Sequence, residues 1–308
     1  MQAPRARKKP FPWHIFVFLA PAVLIYSLFM IYPLFDSLRL SFFTQDVRNV
    51  ESFAGLQNYV RLLTDADLSP RFWNALGNNV VFFIINMLVQ NPIGLLLATL
   101  LSQGGRSRAI YRTLIFTPTL LSVVIIGFIW QLILNPLWGI AHDLLRTVGQ
   151  PQLFKPWLGL PESALITISL ISVWQFIGIP MMLFYTALIG IPDDLTEAAR
   201  VDGASAWSVF WRIKFPLLLP TVGIVSLLTF VGNFNAFDLI YTVKGALAGP
   251  NFATDILGTL FYRTFFGFQL QLGNPTMGAT VSGMMFSIIL AGAAVYLAWQ
   301  RRVQTYEL

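Results

Sequence analysis

The sequence predicts an all-α polytopic membrane protein with six transmembrane helices. Its 308 residues are 56% hydrophobic and 11% charged, and the mean hydropathy is +0.67. Soluble domains carry about 25% charged residues and need that charge on their surface. A disordered chain would be far less apolar than this one. A transmembrane β-barrel is also disfavoured, because its strands alternate and its lumen is polar.

Six apolar runs reach the length of about 18 residues that crosses a bilayer core. They predict spans at residues 15–35, 76–101, 113–134, 164–188, 217–241 and 277–299. The first run follows a basic stretch, as in a signal peptide. It is long enough to span, however, and no small-x-small cleavage site follows it, so we expect it to be retained. Residues 1–14 are then a basic tail, and 15–308 form a single transmembrane domain.

The distribution of Lys and Arg predicts the orientation. Twelve of the twenty lie in the two tails and in the loops 102–112 and 190–216. Loop 102–112 carries three positive charges and no acid, whereas the opposite loop 135–162 carries two of each. Because positive loops remain cytoplasmic, both termini are predicted to be cytoplasmic. The net charge of +6 reflects this asymmetry better than it does a nucleic-acid surface.

The residues that catalysis requires are scarce. The chain has no cysteine and only two histidines, which lie far apart. No His/Asp/Glu group has metal-ligand spacing, and no Gly-Lys dipeptide is present to form a P-loop. We therefore expect no catalytic residue, no metal site and no cofactor in this chain.

The cytoplasmic loop 190–216 predicts a short helix. Pro192 suits a first helical position, and Asp193 and Asp194 fall in the first turn, where the helix dipole favours acids. Ala199 and Gly203 then share a face that a partner could approach closely, although glycine weakens a helix. On residue types alone, two interpretations stay open. The helix lies on the membrane surface, or it docks on a partner.

Fixed residues in this loop resemble the EAA loop of permease subunits in bacterial ABC importers. They are Glu197-Ala198-Ala199, Asp202-Gly203-Ala204, Phe210, Ile213, Pro216 and Pro220. Other stretches resemble the maltose-type sugar-permease branch, namely Phe53–Tyr59, Tyr111–Thr113 with Pro118, Phe234–Tyr241 and Tyr262-Arg263. The resemblance covers nearly the whole chain after residue 15. Lys244–Pro250 and Gly273–Ala279 depart from the glycine-containing stretches of that branch.

The resemblance implies a permease domain over residues 15–308 in the bacterial inner membrane. A second homologous permease would share the path for a sugar or sugar-like solute. Two ATPase subunits, which hold ATP and Mg, and an extracytoplasmic solute-binding protein would complete the assembly, with no nucleic acid. A coupling helix between spans four and five would dock on the ATPase. Its implied coupling residues are Glu197, Ala198, Ala199, Asp202 and Gly203.

Polar residues within the spans indicate a solute path, since such residues usually face a cavity or a partner. Span five places several on one helical stripe, and span four has a cluster where Pro180 interrupts the backbone ladder. Amides hydrogen-bond hydroxyls, and aromatic rings cover the apolar face of a sugar. The predicted path residues are Trp174, Gln175, Gly178, Met181, Thr229, Asn233, Asn235, Ala236, Phe237 and Asp238. The resemblance implies that the substrate is approached by Trp174, Gly178, Met181, Thr229, Asn233 and Ala236.

Helix–helix contact is the competing interpretation of amides in a span. We favour contact for four amides of span two: Asn78, Asn79, Asn86 and Gln90. We favour the path for Asn233, and Asp238 is left open as a cap, a gate or a ligand. The alternative function is a self-sufficient secondary transporter. That class uses ion-coupling acids within the membrane, and Asp238 is the only charged residue inside the six runs.

Overall fold

The computed structural model describes residues 13–45, 50–105, 107–269 and 272–301. These ranges form a helical bundle with a small β-hairpin. In chain order their α-helices are α1 Trp13–Tyr26, α2 Tyr32–Leu40, α3 Gln57–Thr64, α4 Leu68–Ile85, α5 Asn91–Ser102, α6 Arg108–Leu120, α7 Val123–Ile133, α8 Ile140–Thr147, α9 Pro161–Phe176, α10 Gly178–Ile189, α11 Asp193–Val201, α12 Ala206–Val209, α13 Phe215–Phe234, α14 Asp238–Lys244, α15 Leu257–Phe266 and α16 Pro275–Gln300. A short 3₁₀ turn lies at Pro151–Leu153.

Within the described ranges, four continuous helices are long and apolar enough to cross a bilayer. They are Val17–Leu40, Leu68–Ser102, Ala206–Phe234 and Pro275–Gln300. They hold the predicted spans one, two and six and most of span five. The helix that holds span two begins eight residues before that run, because α4 continues through polar residues such as Arg71 and Asn74. π-Helical turns join the α-helical parts at Ser27–Ile31, Asn86–Gln90 and Phe210–Lys214.

The predicted spans three and four are bent pairs of helices. α6 and α7 meet at 97°, and α9 and α10 meet at 42°. Leu121 and Ser122 are extended between α6 and α7, so the predicted span over 113–134 is a bent pair of helices rather than one continuous helix. The second bend lies at Ile177, and Pro180 falls in the first turn of α10, where its missing N–H has no intrahelical role. The interruption expected near Pro180 is confirmed.

Span five ends earlier than predicted. α13 stops at Phe234, and residues 235–237 form an irregular turn before α14. The helix of predicted span five therefore ends at Phe234 rather than at Tyr241, and the expected helical stripe is interrupted after Asn233. Neither Gly nor Pro occurs in the turn. Packing explains it, because α15 presses Gly258 against it: a Cβ at Gly258 would lie 2.7 Å from the carbonyl oxygen of Ala236.

The loop between the first two predicted spans contains an amphipathic helix, α3, as the helical spacing of Leu56, Tyr59, Val60, Leu62 and Leu63 predicts. It follows the antiparallel strands β1 Phe43–Gln45 and β2 Glu51–Phe53. The amide of Asn58 donates to the carbonyl oxygens of Ser41, at 3.0 Å, and Phe43, at 2.7 Å. These bonds fix α3 to the end of α2 and to the hairpin.

Three apolar clusters hold the bundle together. The first joins mainly α7, α9 and α14, the second α5, α10 and α13, and the third α3, α4, α15 and α16. Phe234 belongs to the third cluster and Leu239 to the first. The irregular turn between them therefore crosses from one core to another, which leaves room for a cavity.

Candidate functional site

A cavity of about 320 Å³ opens at the irregular turn between α13 and α14. Its walls also include the π-helical turn Asn86–Gln90 and both sides of the α9–α10 bend. The polar and aromatic lining residues are Phe82, Asn86, Gln90, Ser172, Phe176, Thr229, Asn233, Asn235, Phe237 and Asp238. Interrupted helices within a bilayer occur where they line a cavity or are covered by protein. They often form solute sites in transporters.

Asn233 gives the cavity an unpaired acceptor. Its side chain is buried, and its Nδ2 donates to the carbonyl oxygen of Thr229 at 2.6 Å. Its Oδ1 has no hydrogen-bond partner among the described residues. An unsatisfied buried acceptor costs about 1–3 kcal/mol. A hydroxyl-bearing ligand in the cavity could therefore supply the missing donor.

Asn86 and Gln90 line the cavity, although the sequence favoured helix contact for both. Asn86 lines the cavity and also makes contacts within the bundle. Its Nδ2 donates to Phe82 O at 2.9 Å, and its Oδ1 accepts from Ser172 Oγ at 3.3 Å. The contact interpretation is therefore incomplete for Asn86, and for Gln90 it stays a prediction. The signal that could have found them is the group of amides in the middle of an apolar run. π-Turns within α-helices are frequent at functional sites.

Asn79 links the irregular turn to α15. Its Nδ2 donates to the carbonyl oxygen of Asn233 at 2.9 Å, and its Oδ1 accepts from the backbone N–H of Leu257 at 2.8 Å. Asn78 donates to the carbonyl oxygen of Asp255 at 2.8 Å. The contact interpretation is confirmed for both amides, and Asn79 positions one wall of the cavity.

Six of the ten predicted path residues line the cavity: Thr229, Asn233, Asn235, Ala236, Phe237 and Asp238. Trp174 and Met181 do not. The indole of Trp174 is 43% exposed and packs edge-on against Trp130, with ring centroids 5.6 Å apart. Met181 is fully buried in the apolar cluster of α5, α10 and α13.

Gln175 and Gly178 also lie outside the lining and support the helix bends instead. Gln175 is fully buried, and its Nε2 donates to Leu121 O at 3.3 Å, at the α6–α7 break. Its Oε1 has no partner among the described residues. Gly178 lets α6 approach closely, since a Cβ there would lie 2.9 Å from the Cα of Phe116. Both residues hold the bundle around the cavity.

Asp238 is the only charged residue in the cavity lining of the described chain. It opens α14, its side chain is exposed, and its carbonyl oxygen accepts from Thr242 Oγ1 at 2.7 Å. An acid in a first helical turn interacts favourably with the helix dipole. With no Lys, Arg or His in the lining, this wall of the cavity is negative.

The predicted coupling segment forms α11 and ends in a glycine cap. The N–H of Gly203 donates to Arg200 O at 3.0 Å, and that of Ala204 donates to Ala199 O at 2.9 Å. This pair of bonds is a Schellman motif. Gly203 has φ +82°, which glycine tolerates best. The prediction that Gly203 shares a helical face with Ala199 is therefore wrong, because Gly203 lies beyond the last turn.

The outer surface of α11 is open in this chain. Among the predicted coupling residues, the exposed ones are Glu197, Ala198, Asp202 and Gly203, while Ala199 is half-buried. Apolar side chains lie beside these acids, with Val201 87% and Trp207 73% exposed. A Cβ at Gly203 would meet nothing within 4 Å. Uncovered apolar groups with a polar rim are typical of protein interfaces.

An interrupted-helix cavity and an exposed inter-span helix are together typical of a membrane transport subunit. Residues 90–305 match the family described as binding-protein-dependent transport system inner membrane component. The chain belongs to this family. It is a multi-pass inner-membrane permease of the ABC importer type, and the matched range includes both the cavity turn and α11.

Curated relatives agree with this membership. One is the probable ABC transporter permease YurN of Bacillus subtilis (strain 168), 34% identical over 269 residues, or 86% of this chain and 89% of the relative. Another is the lactose transport permease LacF of Rhizobium radiobacter, 30% identical over 287 residues, or 93% and 94%. A solved bacterial importer of the acidic polysaccharide alginate has the same fold, with a TM-score of 0.79 at 20% identity over 95% of this chain and 96% of that one.

Proposed function

We propose that this chain is one of two permease subunits in a bacterial ABC importer for an uncharged sugar or sugar-like solute. It pairs with a second homologous permease, with two ATPase subunits that use ATP and Mg, and with an extracytoplasmic binding protein. Residues 1–14 are its cytoplasmic tail, and 15–308 are its permease domain. The family, the lactose-transport relative and the cavity support this assignment.

The main observation in support of a sugar-like solute is the unpaired Oδ1 of Asn233. Amides beside it can bind the ring hydroxyls of a sugar, and three phenylalanines of the lining can cover its apolar face. Asp238 would repel an anion, and no basic residue of the described lining would offset it. An uncharged sugar fits this half of the path better than an acidic one.

The test replaces Asn233 by Leu, which keeps the volume similar and removes the amide. Uptake of lactose, maltose, trehalose and galacturonate is measured per assembled complex in proteoliposomes, with the melting temperature recorded in parallel. We expect the native complex to import at least one uncharged sugar and no galacturonate. Asn233→Leu should lower uptake about tenfold or more, unevenly among the sugars, because a lost hydrogen bond penalises the hydroxyl that it served.

Asn78→Leu is the matched control, since its amide binds backbone carbonyls of the 252–255 segment and lies outside the lining. That variant should lose stability and reduce the uptake of every sugar equally. If Asn233→Leu behaves in the same way, or if galacturonate is the preferred solute, the proposed path is wrong.

We propose six spans, each bent pair counting as one, with both termini cytoplasmic. The Lys and Arg distribution supports this topology. Because the chain is cysteine-free, single cysteines report on each side. A cysteine at Gln152 should react with an impermeant thiol reagent from outside, and one at Gln103 only after the membrane is opened. Both positions are exposed, and reversed labelling contradicts the orientation.

We further propose that α11 is the coupling helix, with Glu197, Ala198, Ala199, Asp202 and Gly203 on or beside its docking surface. Gly203→Val and Gly203→Asn separate docking from backbone strain, because Asn tolerates the left-handed conformation and Val does not. If docking is tight at Gly203, both variants should abolish uptake and reduce ATPase copurification. Normal uptake by Gly203→Asn would mean that Gly203 serves only to end the helix and does not contact the ATPase closely.

Glu197 tests the charge of the same surface. Glu197→Lys should prevent stimulation of ATP hydrolysis by the loaded binding protein, because a reversed charge repels a basic partner. Glu197→Gln keeps the shape and should retain part of the stimulation. Unchanged coupling in Glu197→Lys would mean that this residue does not face the ATPase.

A further inference from the structure

Four aromatic rings form a continuous row that starts in the cavity. Phe237, which lines the cavity, lies over Tyr241 with centroids 4.9 Å apart and an interplanar angle of 29°. Tyr262 is 5.4 Å from Phe237 and 5.1 Å from Tyr241. Phe266 follows at 5.3 Å from Tyr262. The row thus runs from the irregular turn along α14 and α15 to the end of α15.

These rings differ from those that build the core. Phe83, Phe230 and Phe234 contact one another and belong to the third apolar cluster. No member of the row belongs to any of the three clusters of the described chain. Phe266 is 64% exposed, and the other three rings are half-buried. The row therefore presents ring surface that this chain leaves uncovered.

The row also carries polar groups at its middle. The hydroxyls of Tyr241 and Tyr262 are 3.4 Å apart, which is longer than the usual range of about 2.5–3.0 Å for a hydrogen bond between hydroxyls. Each oxygen keeps further donor or acceptor capacity. Paired hydroxyls would be poorly matched to lipid tails, but they suit a ligand with both apolar and hydroxylated edges.

We propose that Phe237, Tyr241, Tyr262 and Phe266 form an aromatic track that binds pyranose rings on their way from the outer face to the cavity. This inference rests on the proposed function. The C–H faces of a pyranose pack on aromatic rings, and its hydroxyls then point sideways toward the tyrosine oxygens. Because the track ends at Phe237 in the cavity lining, a sugar could move from ring to ring without full rehydration.

The test uses the complete transporter in proteoliposomes, with lactose, maltose and trehalose as probes. Tyr262→Leu removes a central ring, and Tyr262→Phe keeps it. We expect Tyr262→Leu to raise the KM for the loaded binding protein about fivefold or more, and Tyr262→Phe to raise it less, because that variant keeps the ring and loses only the hydroxyl. Trp138→Leu is the control, because that ring is 61% exposed and has no contact with the row. It should transport normally.

Three results would overturn the track. The first is that Tyr262→Leu transports all three sugars normally. The second is that Tyr262→Phe loses as much transport as Tyr262→Leu. The third is that Tyr262→Leu no longer copurifies with the second permease, which would make the row a subunit contact. The proposed function fails separately. If Asn233→Leu lowers uptake unevenly among the sugars while Tyr262→Leu has no effect on transport, the proposed sugar path is supported and the aromatic track is wrong.

Discussion

Two buried polar regions of this permease satisfy their hydrogen bonds in opposite ways. In the first, Arg263 makes a bidentate pair with Asp255 at 2.9 and 2.6 Å, and Thr259 donates to the same carboxylate at 2.6 Å. We call Asp255, Thr259 and Arg263 the clasp. In the second, at the cavity, the Oδ1 of Asn233 has no partner among the described residues.

The difference distinguishes polar groups that the chain satisfies by itself from a group that it leaves unpaired. The clasp is nearly inaccessible, and Arg263 also donates to Ala246 O at 2.7 Å. All of these hydrogen bonds join residues between Ala246 and Arg263, and they hold the loop before α15 in place. The cavity amides include an acceptor that the chain does not satisfy, beside an open volume. A fully paired buried network stabilises a structure, whereas an unpaired group beside a cavity has capacity to bind water or a ligand.

Among the substitutions that test this comparison, we expect the one at Arg263 to have the largest effect on stability. Arg263→Met leaves the Asp255 carboxylate buried without its cation, and removal of one partner of a buried pair costs about 3–5 kcal/mol. The melting temperature of the purified subunit should fall steeply. The double variant Asp255→Leu with Arg263→Met should recover much of the loss, because no charge stays buried. Equal losses in the two variants would contradict a pair held by charge.

A matched threonine substitution compares the two regions directly. Thr259→Val removes a hydrogen bond to a carboxylate, worth about 1.5–3 kcal/mol. Thr229→Val removes one to the amide oxygen of Asn91, 3.2 Å away, worth about 0.5–1.5 kcal/mol. Denaturant unfolding should show the larger change at Thr259, and uptake the larger change at Thr229. The reverse order would remove the distinction between clasp and cavity.

Asn79 lies between the two regions, so its replacement should have an intermediate effect. Asn79→Leu leaves the N–H of Leu257 without its acceptor, at a cost of about 1–3 kcal/mol. Asn86→Leu is the comparison, because its partner Ser172 faces the open cavity, where water can replace the lost bond. Thermal unfolding should therefore show a larger drop for Asn79→Leu. Equal drops would mean that the cavity is closed to water.

The smallest effect is expected for a half-buried acid outside both regions. The carboxylate of Asp65 accepts from the N–H groups of Asp67, at 3.0 Å, and Leu68, at 3.2 Å. These bonds lower its pKa. Its contribution is therefore present above the pKa of the unfolded chain and is lost as the pH falls through the folded value. Asp65→Asn should slightly reduce the acid sensitivity of the melting temperature, and an unchanged profile would show that the turn does not limit stability.

Local sequence was sufficient to predict where most of the helices lie. Apolar runs located all six candidate spans, and spacing predicted α3 from its amphipathic pattern. The acids Asp193 and Asp194 marked the start of α11, and both occupy its first turn. Each of these signals arises within one or two helical turns. They succeed because burial in a bilayer and interaction with a helix dipole depend on residue type and periodicity.

The candidate site could be predicted only in part. Six path residues reach the cavity, including Thr229 and Asn233, because amides and hydroxyls in a bilayer seek a cavity or a partner. Trp174, Gln175 and Met181 do not, because they contact Trp130, the carbonyl oxygen of Leu121 and the second apolar cluster, and local sequence does not reveal these distant partners. Asn86 was assigned to contact alone, since no local pattern reveals which polar face a cavity will meet.

The sequence by itself determined that this chain is a helical membrane protein with an exposed helix at residues 193–201. Only the tertiary structure decided where spans three and five break. The carbonyl oxygen of Leu121 is bonded by Gln175, 54 positions away, and that of Asn233 by Asn79, 154 positions away. A helix can be interrupted in a bilayer only where other parts of the protein or a lined cavity satisfy its freed backbone groups. Those partners come from distant segments, so packing of the bundle created the cavity that local sequence could not show.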